Sequence, residues 1–83
     1  MFSIYRKEVG GRRSDRYFKD YKKAKAEIAA DVERMCEVCG GVVTETIDRF
    51  NADRCLWIYE VRMRLANGET ATHAIVDGYF EDN

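Results

Sequence analysis

One run of residues with helical spacing limits what this chain can fold into. Five apolar residues recur at steps of four, four, three and four, and therefore share one helix face: Ala24, Ile28, Val32, Met35 and Cys39. Asp20 is a residue type that caps helix N-termini, and Gly40-Gly41 supplies a stop at the other end. The pattern predicts a helix over about residues 20–39, with its apolar stripe lying on a sheet.

Two strands are predicted before this helix. Residues 2–9 are rich in β-forming residue types, and residues 12–18 can return as a second strand after the glycine pair at positions 10–11. A two-residue turn at the glycines pairs Ile4 with Tyr17. The N-terminal segment is therefore predicted to be a β-hairpin.

Three strands are predicted after the helix. Residues 42–50 are rich in threonine and valine, and residues 55–66 alternate between apolar and polar side chains. Asn67-Gly68 favours a two-residue type I′ turn into the last strand. That turn pairs Leu65 with Thr70, Met63 with Thr72, Val61 with Ala74 and Tyr59 with Val76.

The order β-β-α-β-β-β predicts a two-layer α+β fold. Its layers are an antiparallel sheet and one helix packed on one face of that sheet. With 83 residues, the chain corresponds to a single domain over residues 1–83. One helix covers only one sheet face, so the second face is expected to be uncovered.

The predicted register also assigns the side chains of the uncovered face. One end of this face collects four apolar residues, namely Leu56, Ile58, Ile75 and Tyr79. The other end carries Arg62, opposite His73, and Arg64. An apolar group without a helix over it is a candidate binding patch, with the two arginines orienting the partner. The partner is a heterologous protein or a second copy; alternatively, the N-terminal hairpin curls over the patch.

Positive charge is concentrated early in the chain. Residues 6–25 contain nine basic and three acidic residues, whereas residues 26–83 contain five basic and twelve acidic ones, so the net charge of −1 conceals a split. The candidate anion-binding cluster is Arg12, Arg13, Arg16, Lys19, Lys22 and Lys23. Such a cluster can contact nucleic-acid phosphates or an acidic protein surface, or can simply be solvated.

No metal, cofactor or catalytic site is predicted. Cys36 and Cys39 have the spacing of half a zinc site, but the remaining ligands, Cys55 and His73, are far apart in sequence. Cys39 is expected to face the core and His73 the uncovered sheet face, so these groups do not converge. The chain has one histidine and lacks nucleophile-elbow, phosphate-loop and dinucleotide-binding motifs, so we expect a protein that is not an enzyme.

A cytoplasmic location without membrane contact is expected. No signal-peptide pattern follows the first nine residues, and the longest apolar run, residues 55–59, is far shorter than the ~20 residues that span a bilayer. Three cysteines in a short chain without an export signal favour a reducing compartment.

The order of elements resembles small proteins carried by bacteriophages and mobile elements. The resemblance lies in the helix entry F-x-D-Y-x-x-A-K-A-E from Phe18 to Glu27 and in the Trp57–Gly68 hairpin segment closed by Asn-Gly. Some such proteins, including anti-CRISPR proteins, block host defence nucleases by protein contact. The resemblance implies a non-enzymatic protein-binding module that occludes a partner. The alternative is a small nucleic-acid-binding regulator that uses the basic cluster.

Overall fold

The computed structural model describes residues 3–53 and 56–76. Within these residues the elements are β1 (Ser3–Val9), β2 (Arg12–Phe18), α1 (Tyr21–Val38), β3 (Val42–Asn51), β4 (Leu56–Arg64) and β5 (Thr70–Val76). The strands form one antiparallel sheet in the order β2-β1-β5-β4-β3, and α1 packs on one of its faces. The predicted α+β fold and its element order are confirmed.

The helix begins and ends close to where its sequence signals lie. The Asp20 carboxylate accepts a hydrogen bond from the Lys22 N–H at 2.8 Å and so caps the first turn. At the other end the Cys39 N–H donates to the Met35 carbonyl, and Gly40 follows with a φ of 63°. The prediction that Cys39 faces the core is wrong: it lies beyond the last helical residue and is exposed.

The hydrophobic core lies between α1 and the sheet. Its buried members are Tyr5, Ala24, Ile28, Met35, Val61, Met63, Leu65, Ala71 and Ile75. Ala24, Ile28 and Met35 are three of the five residues in the predicted helix stripe, and burying a side chain such as Ile28 contributes about 1.5–3 kcal/mol. The helix therefore packs by the face that its periodicity predicts.

The N-terminal hairpin has the predicted register. Ile4 pairs with Tyr17, and the strands are joined through Gly10 and Gly11, whose φ values are 57° and 87°. Positive φ at both central positions is the requirement of a type I′ turn, which glycine meets without steric cost. On its other side β1 pairs with β5, so the hairpin joins the sheet.

The predicted register between β4 and β5 is wrong by one residue. The Leu65 N–H donates to the Glu69 carbonyl at 2.8 Å, and the Gly68 N–H donates to the Leu65 carbonyl at 2.9 Å. The connection is therefore a three-residue loop over 66–68, not a two-residue turn. Met63 consequently pairs with Ala71, not with Thr72.

This shift turns every side chain of β5 to the opposite face of the sheet. Ile75 and His73 were both expected on the uncovered face. His73 instead pairs with Val61 and is fully buried, while Ile75 belongs to the core beneath the helix. Thr72, Ala74 and Val76, which the predicted register places beneath the helix, lie on the uncovered face instead.

Candidate functional site

The sheet face opposite the helix, which we call the outer face, carries a row of apolar side chains. Residues that pair across strands share a face, so the register assigns them. Ile4 lies between Tyr17 on β2 and Val76 on β5, and the next position of the β4–β5 register places Ile58 beside Val76. Tyr17 is 65% exposed, and the other three are half-buried. We call these four residues the apolar band.

The apolar band coincides only in part with the predicted patch. Ile58 lies on the outer face as predicted, whereas Ile75 does not. Leu56 pairs with Asn51 at the start of β4, but its side chain lies outside the described part of the structure. Tyr79 lies outside the described residues altogether.

Sequence reasoning missed three members of the band: Val76, which the predicted β4–β5 register placed beneath the helix, and the hairpin residues Ile4 and Tyr17. The pairing of the two hairpin residues, and hence their common face, follows from the glycine turn. What the sequence did not indicate is that β1 lies between β2 and β5, which brings both residues into one row with Val76. Strand order depends on contacts between distant segments, so no local pattern carries that signal.

Beyond the band, five charged side chains of the outer face pair with one another. The Arg6 guanidinium donates to both carboxylate oxygens of Asp15, at 2.9 and 3.0 Å. These hydrogen bonds hold the pKa of Asp15 below its usual value. Arg62 donates to Glu60 at 2.6 Å and to Glu45 at 3.1 Å. The outer face therefore combines an apolar band with a set of internal ion pairs.

The two arginines predicted to orient a partner lie at different distances from the band. Arg62 and Arg64 are both exposed on the outer face. Arg64 is six strand residues away from Ile58, a separation of about 20 Å at the usual rise per residue. Arg62 is nearer, but its charge is already shared between two carboxylates.

The structure does not bring the six residues of the predicted basic cluster together. Arg12 and Arg13 lie at the start of β2, while Lys19 follows its end. The intervening strand separates the two groups by about 20 Å. Lys22 and Lys23 are exposed in the first turn of α1, on the Lys19 side. The cluster therefore divides into a pair and a group of three.

Arg16, the sixth member, points toward the helix. Its guanidinium donates to Glu27 at 3.2 Å and to Asp31 at 3.0 Å. The same group lies over the Tyr5 ring, 5.1 Å from the ring centre. Arg16 therefore joins β2 to α1, and much of its charge is compensated within the fold.

A buried polar network lies beneath the helix, and sequence reasoning did not identify it. The Tyr5 hydroxyl donates to Asp31 at 2.8 Å and lies 2.7 Å from Nδ1 of His73. Since an ionised carboxylate only accepts, the hydroxyl proton belongs to the Asp31 contact, and His73 must donate from Nδ1. This tautomer leaves Nε2 unprotonated, and that atom has no hydrogen-bond partner among the described residues.

Burial sets the protonation states of this network. Burial, with a smaller contribution from Lys7, lowers the pKa of His73 to about 4. Burial alone would raise the pKa of Asp31, but hydrogen bonds from Arg34 and Tyr5 and the nearby cationic charges lower it instead. Neutral histidine therefore lies beside ionised aspartate.

The network is inaccessible to a substrate. The exposed fractions are 1% for Tyr5, 3% for Asp31 and 0% for His73. Asp31 also forms ion pairs with three cationic side chains: Lys7, Arg16 and Arg34. The arrangement can tie the helix to β1, β2 and β5, but it presents no group to a reactant.

The predicted half zinc site remains a pair of separate thiols. Cys36 and Cys39 are both free and exposed near the end of α1, whereas His73 is buried in the sheet. Over residues 3–53 and 56–76, no group of three or more histidine, cysteine, aspartate or glutamate side chains is placed to hold a metal. In the same ranges, no helix has the length and apolar character needed to cross a membrane.

The chain was compared with protein-family models, with curated proteins and with solved structures. None of the three comparisons found a match.

Proposed function

We propose that this chain is a non-enzymatic protein-binding module that occludes a partner protein through its outer face. The observation that carries the proposal is the apolar band, a row of four apolar side chains across four neighbouring strands. Contiguous apolar surface of this kind marks interaction sites in small proteins. The band occupies the sheet face opposite the only described helix.

The composition of the outer face supports a protein partner. Tyr17, the most exposed member of the band, is of the residue type that is enriched among strongly binding interface positions. Protein interfaces combine an apolar centre with a polar rim. The Arg6–Asp15 pair supplies such a rim next to Ile4, and it does so with its charges already compensated.

Ile58→Glu tests the proposal, because it places a charge within the band. Thr70→Glu is the matched control: it adds the same charge on the outer face, six residues along β5 from Val76. Wild type and both variants are first compared by circular dichroism and thermal melting. Each is then immobilised and exposed to extract of the source cell, and any protein retained by the wild type is purified and titrated against all three.

We expect the purified partner to bind wild type and Thr70→Glu equally, and Ile58→Glu at least tenfold more weakly, since an apolar side chain that anchors an interface contributes about 2 kcal/mol or more. If Ile58→Glu bound the partner as tightly as the wild type, the outer face would not be the binding site. A wild type that retains no protein, or an Ile58→Glu chain that no longer melts cooperatively, would also contradict the proposal.

The nucleic-acid alternative has weaker support. The lysines near the start of α1 are separated from Arg12 and Arg13, and the charge of Arg16 is compensated by Glu27 and Asp31. A gel shift with random DNA and RNA at low salt tests this alternative, since phosphate-dominated binding weakens steeply with added salt. A salt-sensitive shift at micromolar protein would favour it over protein binding.

A narrower form of the proposal is inhibition of a host defence nuclease complex. It rests on the resemblance of the sequence to phage-type proteins. Its test is expression of the chain in a host with an active defence system. Increased phage infectivity, lost in Ile58→Glu and kept in Thr70→Glu, would support this form, and unchanged infectivity would refute it.

A further inference from the structure

The two edges of the sheet are unequally protected against pairing with another chain. Among the described strands, β2 and β3 lie at the edges. β2 has four charged residues in seven, whereas β3 has three in ten. Short length and closely spaced charges discourage edge-to-edge association. β3, whose side chains are mostly exposed, is therefore the edge that is more open to a further strand.

The outward pattern of β3 is complementary to itself. The β3–β4 register places Glu45, Ile47 and Arg49 in succession on the outer face. When two such strands run antiparallel about a two-fold axis at Ile47, Glu45 of each copy lies opposite Arg49 of the other. The two Ile47 side chains then face each other between two pairs of opposite charge.

Neighbouring registers lack this complementarity. An axis at Thr46 places Glu45 opposite Ile47 and separates it from Arg49 of the second copy. An axis at Asp48 places two aspartates opposite each other, and like charges directly opposite are destabilising in a sheet. The charge pattern of β3 therefore favours the register centred on Ile47.

The charges that would pair across the axis are accessible. Arg49 is exposed and makes no ion pair with any residue that the structure describes. Glu45 contacts Arg62, but its side chain is still 51% exposed and can accept from a second cation. A second copy of the chain would thus supply Arg49 with a counter-charge.

We propose that β3 pairs antiparallel with β3 of a second copy about Ile47, which joins two five-stranded sheets into one of ten strands. The register shift between Val43 and Glu45 confines regular pairing to about residues 45–49, a length typical of natural strands. This dimer uses an edge, not the outer face, and is independent of the proposed partner protein.

Charge reversal provides the test. Glu45→Arg and Arg49→Glu each place like charges opposite one another twice in a homodimer. A mixture of the two variants restores both opposite-charge contacts, but only in the heterodimer. Native mass spectrometry distinguishes the two homodimers and the heterodimer by mass. Sedimentation equilibrium measures the dissociation constant of each dimer. Glu33→Arg, on an exposed position of α1, is the control for charge reversal as such.

Wild type and Glu33→Arg are expected to dimerise with equal affinity. Each β3 variant alone is expected to dimerise on the order of tenfold more weakly than the wild type, or not at all, because two attractive cross-strand charge pairs become repulsive. The equimolar mixture is expected to form the heterodimer with near wild-type affinity, which also shows that both variants are folded. A monomeric wild type at ~100 μM, variants that dimerise like the wild type, or a mixture without heterodimer would each overturn the proposal.

Discussion

Mild acidification is expected to destabilise this fold through His73. In the unfolded chain the imidazole binds a proton below a pKa of about 6.5, whereas in the folded protein burial lowers its pKa to about 4. The unfolded state therefore binds more protons than the native state between about pH 6.5 and pH 4. Stability from this group is fully present above pH 6.5, falls as the pH decreases, and stops falling below about pH 4.

The size of the effect follows from the two pKa values. Their difference corresponds to a total loss of about 3 kcal/mol in the free energy of unfolding. About 2 kcal/mol of this loss is expected between pH 7 and pH 5. His73 has no exposed surface, so solvent does not screen the interactions that lower its pKa. The neighbouring Lys7 opposes protonation further, while Asp31 favours it and limits the shift.

Urea unfolding at pH 7, 6 and 5, followed by circular dichroism, measures this loss. The range ends at pH 5 because most carboxylates, with usual pKa values near 4, are still ionised there. His73→Gln should abolish most of the pH dependence, because glutamine does not titrate. As His73 is the only histidine, NMR of the wild type gives a second measurement. An imidazole that titrates near pH 6.5 in the folded protein, or an unchanged slope in His73→Gln, would refute the reasoning.

Two further substitutions test the buried network and the helix cap. Tyr5→Phe removes the hydroxyl that joins Asp31 to His73, and should lower the free energy of unfolding by about 1–3 kcal/mol in urea denaturation. An unchanged free energy of unfolding would mean that Asp31 and His73 do not need the hydroxyl as a hydrogen-bond partner. Asp20→Ala removes the side-chain acceptor for the Lys22 N–H and should cost about 1 kcal/mol. Full stability in that variant at neutral pH would exclude a capping role.

The parts of the fold that depend on neighbouring residues were predictable. The helix and the N-terminal hairpin were predicted from a five-residue stripe, a capping aspartate and a glycine pair, and the structure has both. These signals act over a few residues, where backbone preference and periodicity are decisive. The face of β4 was likewise predictable, because its apolar residues from Tyr59 to Met63 alternate with charged ones without interruption.

The face of β5 was not predicted because it depends on one residue of loop length. Asn67-Gly68 occurs both in two-residue turns and in longer loops with glycine at positive φ, and Gly68 has a φ of 93°. The composition of β5 itself contained a contrary signal: Thr70 and Thr72 favour the solvent, and Ile75 favours the core. A two-residue turn at Asn67-Gly68 contradicts that alternation, and it places Ile75 on the wrong face of the sheet.

The charge asymmetry of the sequence also has a physical explanation in the fold. Several early basic residues pair with carboxylates, and most of those carboxylates lie in the acidic remainder of the chain. These ion pairs are Arg6–Asp15, Lys7–Asp31, Arg16–Glu27, Arg16–Asp31 and Lys25–Asp48. The basic hairpin thus docks on an acidic flank of the helix. A local excess of positive charge indicated an external anion, but in this protein much of it is complementary to another part of the same chain.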